Sequence, residues 1–130
     1  MGKIDLIYPE LSYKIIGAAF RIFNEVGFGH KEIIYQRAFV KELEKLGIFC
    51  APGYRLPIKF DGKIVGFYIP DLIINNQIII EFKVRPKIGY VHIRQVVNYL
   101  RSDNKKLAII IYFTREGVKY RRIINIKKEN

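Results

Sequence analysis

The sequence predicts a single α/β domain over residues 1–130, in which a mixed β-sheet core is flanked by helices in the order α-α-β-β-β-α-β-β. Three observations lead to this fold class. The chain has 130 residues, within the usual range of one domain. Half of its residues are hydrophobic, which is enough for a substantial core. The spacing of apolar residues changes from helical to alternating and back, without repeats or a linker.

Two helices open the predicted domain. Residues Pro9–Val26 carry apolar side chains at three- and four-residue steps, which gives one apolar stripe. Gly27 and Gly29 are expected to end this helix, because glycine tolerates left-handed backbone. The second helix is predicted from about His30 to Leu46, with Gly47 as its cap.

An alternating segment follows, and alternation is typical of strands. Its strands and turns are predicted, in order, at Tyr54–Phe60, Asp61-Gly62, Ile64–Ile69, Asp71–Ile74, Asn75-Asn76 and Gln77–Val84. The dipeptide Asp61-Gly62 is a strong hairpin signal, because both central positions of such a turn favour positive φ. These residues therefore predict two successive hairpins.

The last third of the chain returns to one helix and two strands. Val91–Arg101 has the spacing of an amphipathic helix. Leu107–Phe113 is almost entirely apolar, which predicts a strand covered on both faces. Val118–Ile126 is predicted to be an edge strand.

The charge balance indicates a polyanionic partner. The chain has 23 Lys and Arg against 12 Asp and Glu, a formal charge of +11. A folded domain this basic attracts nucleic acid, with DNA as the expected form. The alternative is a solvated basic surface that only aids solubility. The longest apolar runs fall far short of the roughly 20 residues that span a bilayer, so no membrane association is predicted.

Three further polar residues are interpreted without a catalytic role. Cys50 is the single cysteine, which excludes an intrachain disulfide and suits a reducing cytoplasm, the predicted location. We expect it to be a packed or edge thiol. His30 and His92 could be ligands or general bases, but solvated positions at helix starts are favoured.

The segment from Asp71 to Lys83 carries the candidate chemistry. In a strand, Glu81 and Lys83 point to one side while Phe82 points to the other. If the turn at Asn75-Asn76 is tight, Asp71 lies across from Glu81. Two carboxylates and an ammonium group then meet at one end of a hydrophobic hairpin. Mg²⁺ and Mn²⁺ favour such oxygen ligands, and a nearby lysine can orient water beside them.

A cross-strand salt bridge explains the same three residues. An exposed pair between Lys83 and a carboxylate would contribute only about 0–1 kcal/mol and would have no catalytic meaning. The pattern Asp-x(9)-Glu-x-Lys is loose. From these residues alone, a metal site and a salt bridge stay equally open.

Further motifs, distributed from Pro9 to Asn125, make the pattern more specific. In chain order they are Gly29-His30-Lys31-Glu32-Ile33-Ile34-Tyr35, Ala38, Glu42-Leu43, Gly47, Pro57, Asp61-Gly62-Lys63-Ile64-Val65-Gly66, Asp71, Glu81-Phe82-Lys83, Gln95-x-x-Asn98-Tyr99-Leu100 and Arg122-Ile123. This set resembles the GxxExxY protein family, small domains related to PD-(D/E)XK nucleases. The sequence departs from the family pattern at Leu107–Phe113, a structural strand. The resemblance implies a restriction-endonuclease-like fold.

The resemblance also implies roles for residues outside the hairpin. Glu32 is expected to join the metal site, although a carboxylate at a helix start is also favoured by the helix dipole. Gln95 is expected to contact the active site or its bound phosphate, the alternative being an exposed amide. Tyr35 and Tyr99 are candidate supporting residues. Ring packing is the favoured interpretation for Tyr35, while both interpretations stay open for Tyr99.

These observations predict a Mg²⁺- or Mn²⁺-dependent DNA phosphodiesterase. Asp71 and Glu81 would bind the metal, with the Phe82 backbone carbonyl and Glu32 as further candidate ligands. Lys83, Gln95 and Glu32 are the candidate catalytic residues. The alternatives are a catalytically silent nucleic-acid-binding or scaffold domain and, more narrowly, a Holliday-junction resolvase-like endonuclease. A homodimer through the apolar face of the first helix is a further expectation.

Overall fold

A computed structural model describes residues 7–86 and 90–125, apart from the side chains of residues 90–92, 102 and 103. Three helices flank a five-stranded mixed sheet, so the predicted fold class is confirmed. The elements are α1 (Pro9–Val26), α2 (Glu32–Lys45), β1 (Cys50–Ala51), β2 (Leu56–Phe60), β3 (Lys63–Tyr68), β4 (Leu72–Ile74), β5 (Ile78–Val84), α3 (Tyr90–Asp103), β6 (Leu107–Thr114) and β7 (Gly117–Ile124).

The strands form two separate sheets. The main sheet has five strands in the order β1-β4-β5-β6-β7. Its β5–β6 pair is parallel and its other pairs are antiparallel, so the sheet is mixed as predicted. The hairpin β2–β3 stands apart as a two-stranded ribbon.

The predicted element order omits two short strands that the structure contains. The three residues of β4 lie within Asp71–Ile74, which was predicted as one arm of the second hairpin but was not counted in that order. β1 was not predicted, because a two-residue strand leaves almost no periodic signal in a sequence. The prediction also placed β2 and β3 in the same sheet as the other strands. In the structure the backbone hydrogen bonds of β2 and β3 join these two strands to each other, so they form a separate ribbon. The predicted last strand reached Ile126, which lies outside the described residues.

The helix boundaries and tight turns follow local backbone rules. α1 has the predicted bounds, with Pro9 in its first turn and Gly27 at φ 75° just after its end. α2 begins at Glu32 instead of His30. Asp61 and Gly62 have φ of 54° and 78°, the positive values that the predicted hairpin turn requires.

Two apolar clusters cover the two faces of the main sheet. On one face, α1 and α2 pack against alternate β5 residues, including Ile80 and Phe82. On the other, α3 and the ribbon pack with Ile79 and Ile110. β6 is buried along its whole length, which confirms that it is covered on both faces. Because side chains alternate along β5, Glu81 and Lys83 lie on the α3 side.

Two polar contacts fix α1 to its neighbours. Arg21 of α1 forms an ion pair of 2.6 Å with the buried Glu42 of α2. Arg122 of β7 donates to the Ile7 carbonyl and to Ser12 Oγ, the latter at 3.5 Å. Within the described ranges, no helix is long and apolar enough to cross a membrane.

Candidate active site

The β4–β5 hairpin brings Asp71 and Glu81 together. Its register pairs Leu72 with Ile80, and one further step places Asp71 opposite Glu81. The connecting turn has Asn75 and Asn76 at φ of 54° and 57°. Asparagine is among the residues that adopt such values at low cost, so the turn is as tight as the sequence predicted.

Backbone amides hold both carboxylates across the hairpin. Phe82 N donates to Asp71 Oδ2 at 2.7 Å, and Asp71 N donates to Glu81 Oε1 at 3.1 Å. Asp71 Oδ1 and Glu81 Oε2 accept no hydrogen bond from any described residue. One oxygen of each carboxylate is therefore fixed, and the other is available to a ligand.

Tyr68, at the end of β3, completes the surroundings of Glu81. Its hydroxyl donates to Glu81 Oε1 at 2.5 Å. Its ring stacks on Tyr99 of α3, with 3.5 Å between ring centroids and 2° between planes. Sequence reasoning missed Tyr68, since its contact depends on how the ribbon packs against α3. The structure therefore places Tyr99 in contact with the tyrosine that donates to Glu81.

Burial shifts the pKa of both carboxyl groups. Removal from water, followed by the charge of Asp71, raises the pKa of Glu81 to about 7, against the opposing effects of the Tyr68 hydroxyl, the Asp71 amide and Lys83. Burial also raises the pKa of Asp71, with a further increase from the charge of Glu32, while the Phe82 amide opposes the shift. Two neighbouring groups perturbed in this way are typical of functional sites.

Lys83 lies near both carboxylates without pairing to either. It is half-buried, and its charge lowers the pKa of Asp71 and of Glu81. Over residues 7–86 and 90–125, no direct ion pair joins Lys83 to a carboxylate. The salt bridge considered from sequence is therefore not formed, and the ammonium group can interact with a ligand.

The donor set fits a divalent cation bound by two carboxylates. Glu32, half-buried at the start of α2, interacts electrostatically with Asp71. The described part of the chain nevertheless contains no group of three His, Cys, Asp or Glu side chains close enough to hold a metal. Mg²⁺ is commonly held by one or two carboxylates with waters and substrate phosphate. Asp71 and Glu81 meet that requirement without Glu32.

The remaining predicted residues lie at different distances from this centre. Gln95 is exposed on α3, one turn before Tyr99, and its amide makes no hydrogen bond to a described residue. Tyr35 is fully buried, with its hydroxyl donating to the Gly27 carbonyl at 2.6 Å and its ring 4.0 Å from that of Phe113. The structure thus places Tyr35 in the core under α1 and α2.

The cysteine and histidines lie apart from the two carboxylates. Cys50 is half-buried on the edge strand β1, where burial and the charge of Glu44 raise its pKa, which favours the thiol form. His30 is exposed, and its Nε2 lies 2.7 Å from the Val26 carbonyl oxygen. The His92 side chain lies outside the described residues.

Comparisons with known proteins agree with this geometry. A family model described as "PD-(D/E)XK nuclease superfamily" matches residues 9–123. A crystal structure of a protein named SSO0001 superposes with a TM-score of 0.55 at 21% identity. The match covers 74% of this chain and 51% of the other, so this chain spans about half the length of that protein. At this identity the likeness concerns the fold. A search of curated proteins finds no match.

Proposed function

We propose, from the premise that this chain belongs to the PD-(D/E)XK nuclease superfamily, that it is a metal-dependent DNA phosphodiesterase. The observation that carries the proposal is the pair formed by Asp71 and Glu81, each held by a backbone amide and each left with one oxygen free of hydrogen bonds from described residues. Nucleases of this superfamily generally use divalent metals. Mg²⁺ or Mn²⁺ is therefore the proposed cofactor.

The residues around the pair have complementary roles in this proposal. Asp71 and Glu81 hold the ion, with the Phe82 carbonyl and Glu32 as proposed additional ligands. A bound ion would supply Lewis-acid activation of the phosphodiester and of a water molecule. Lys83 orients that water and offsets negative charge on the phosphate. Gln95, exposed one turn from Tyr99, contacts the bound phosphate.

The charge of the chain supports nucleic acid as the partner. A net charge of +11 attracts the phosphate backbone regardless of sequence. DNA binding should accordingly be measurable at low salt and should weaken as the salt concentration rises. On duplex DNA, each phosphate contact should lower the logarithm of the binding constant by about 0.9 for every tenfold increase in salt concentration. We further propose that the protein is cytoplasmic, that it belongs with the GxxExxY family and that it assembles as a homodimer. The narrower alternative is an endonuclease that resembles Holliday-junction resolvases.

A silent nucleic-acid-binding or scaffold domain is the second candidate function. Such a domain would keep the fold and the basic charge but would have no need of a buried carboxylate pair. Burying charged groups without a compensating cation is costly, so a scaffold gains nothing from retaining Glu81 beside Asp71. Lys83, which pairs with neither, is equally unneeded in a scaffold. The site therefore favours the phosphodiesterase.

The test is cleavage of DNA by purified protein. Single-stranded, double-stranded and branched DNA are each incubated with and without Mn²⁺. We expect at least one form to be cut only when Mn²⁺ is present. Glu81→Gln should abolish the cleavage, whereas Glu42→Gln, which changes another buried glutamate, should retain it. Binding without cleavage of any form would favour the scaffold, and equal cleavage by Glu81→Gln would assign the activity to a contaminant.

A further inference from the structure

One residue at the site has no counterpart among those predicted from the sequence. Tyr68 belongs to the ribbon, which lies outside the main sheet, yet its hydroxyl forms the 2.5 Å hydrogen bond to Glu81. Its ring is held at the same time by Tyr99 of α3. Tyr68 therefore links the ribbon to β5 through the Glu81 carboxylate and to α3 through its ring.

We infer that Tyr68 is a positioning residue that fixes the Glu81 carboxylate, so that Oε2 is presented to the metal ion. The inference rests on the proposed function, because it assigns a role within the same site. Glu81 Oε1 accepts from both Tyr68 Oη and Asp71 N, and this double contact defines the plane of the carboxylate. Without it the terminal torsion of a glutamate is broad, and the carboxylate can rotate.

The amide of Asp71 does not suffice to define that plane. A single hydrogen bond of 3.1 Å leaves the carboxylate free to turn about the contact. The second donor, at 2.5 Å, comes from the ribbon side. Groups that hydrogen-bond to metal ligands in this way orient them, and their loss typically weakens metal binding by 10- to 100-fold.

The stack with Tyr99 gives Tyr68 the rigidity that this role requires. Nearly parallel rings with centroids 3.5 Å apart leave Tyr68 little freedom to swing its hydroxyl away. Tyr68 is half-buried, and Leu56, its partner across the ribbon, is buried in the same cluster as Val96 of α3. The ribbon is thus packed against α3 where its tyrosine reaches Glu81.

The test compares hydroxyl removal with ring removal. Tyr68→Phe keeps the ring and its stack but deletes the donor, and we expect its Mn²⁺ dissociation constant to rise about tenfold in calorimetry. Tyr99→Leu keeps the donor but removes the stacking partner, and a smaller loss of affinity is expected. Tyr120→Phe deletes the hydroxyl of a tyrosine on β7 that is 45% exposed, and it should bind Mn²⁺ like the wild type.

A second readout separates positioning from a general loss of structure. If Tyr68 acts by positioning Glu81, the Tyr68→Phe variant should cleave at the wild-type rate once the Mn²⁺ concentration is increased. The increase needed should match the factor by which the substitution raises the Mn²⁺ dissociation constant. A variant damaged only in its fold would show a lower melting temperature and no such recovery. Wild-type affinity in Tyr68→Phe, or a rate that stays low at saturating Mn²⁺, would overturn the inference while leaving the proposed function intact. Failure of the wild type to bind Mn²⁺ would overturn both.

Discussion

Glu42 and Glu81 are buried to the same extent, each with 8% of its surface exposed, but their surroundings differ. Glu42 faces cations: Arg21 at 2.6 Å and Lys45 at 3.9 Å. Glu81 faces a tyrosine hydroxyl, a backbone amide and the like charge of Asp71. One carboxylate is neutralised within the fold, whereas the other is held in place without a counter-ion in contact.

The difference separates a carboxylate paired within the fold from the one proposed to bind a metal ion. The Arg21–Glu42 pair joins α1 to α2, and the Arg21 side chain remains 57% exposed, so the pair is a partly screened contact between helices. Glu81 and Asp71 repel each other at the end of a hairpin, and Lys83 offsets only one unit of charge. A cation bound from solution would remove that repulsion, which a purely structural site would have resolved with its own residues.

The largest expected effect separates metal binding from catalysis. Lys83→Met removes the ammonium group that is proposed to orient water, and we expect cleavage to fall by about a hundredfold or more. Mn²⁺ binding should persist, and it should become tighter because a nearby positive charge is lost. Lys41→Met, at an exposed position on α2, is the matched control and should cleave at the wild-type rate. Loss of metal binding in Lys83→Met would instead assign the lysine a structural role.

The next effect is a pH dependence of stability in the absence of metal. The folded pKa of Glu81 is raised from 4.5 to about 7, so the folded state binds the proton more tightly than the unfolded chain does. The associated stability is fully present below pH 4.5 and is lost as the pH rises towards 7, by up to about 3 kcal/mol. Urea denaturation across this range should show the decrease.

Glu81→Gln is the control for that pH dependence. Glutamine does not titrate, so this variant should lack most of the decrease, and what remains should come from Asp71, whose pKa is also raised. Near neutral pH and without metal, Glu81→Gln should be the more stable protein because the repulsion is gone. A wild type whose stability rises between pH 4.5 and 7 would contradict the assignment of Glu81 as an uncompensated carboxyl group.

The smallest effect comes from the structural carboxylate. Glu42→Gln breaks the ion pair with Arg21, and we expect the free energy of unfolding to fall by about 1 kcal/mol. The stabilisation gained from added Mn²⁺ should be the same as in the wild type, because Glu42 lies between α1 and α2. A reduced metal response in this variant would remove the distinction between the two carboxylates.

Much of the fold was predictable because its signals are local. The bounds of α1 follow from an apolar stripe and two glycines, and the placement of Asp71 opposite Glu81 follows from the tight turn at Asn75-Asn76. β1 was not predictable, since a two-residue strand forms only through its pairing with β4. Local signals thus fix the elements and the hairpin, but not the pairing of the shortest strands.

The tyrosine beside the site was beyond sequence reasoning for a related reason. The contact between Tyr68 and Glu81 joins residues on different sheets and depends on where the ribbon packs. The register shift between Ile58 and Lys59 adds to this, because a bulge changes which side chains of a strand share a face. Glu32 was predicted to join the metal site. Its charge raises the pKa of Asp71, which places it near that carboxylate, and its role as a ligand stays a prediction.

The central claim is that Asp71 and Glu81 bind a divalent cation, and the most direct test is the effect of Mn²⁺ on thermal stability. Binding to the native state alone stabilises a protein by about 2.7 kcal/mol when the ligand is at 100 times its dissociation constant. We expect Mn²⁺ to raise the melting temperature of the wild type by several degrees. Asp71→Ala should lose that gain and be at least as stable as the wild type without metal. An equal response of the wild type and Asp71→Ala to Mn²⁺ would contradict the claim.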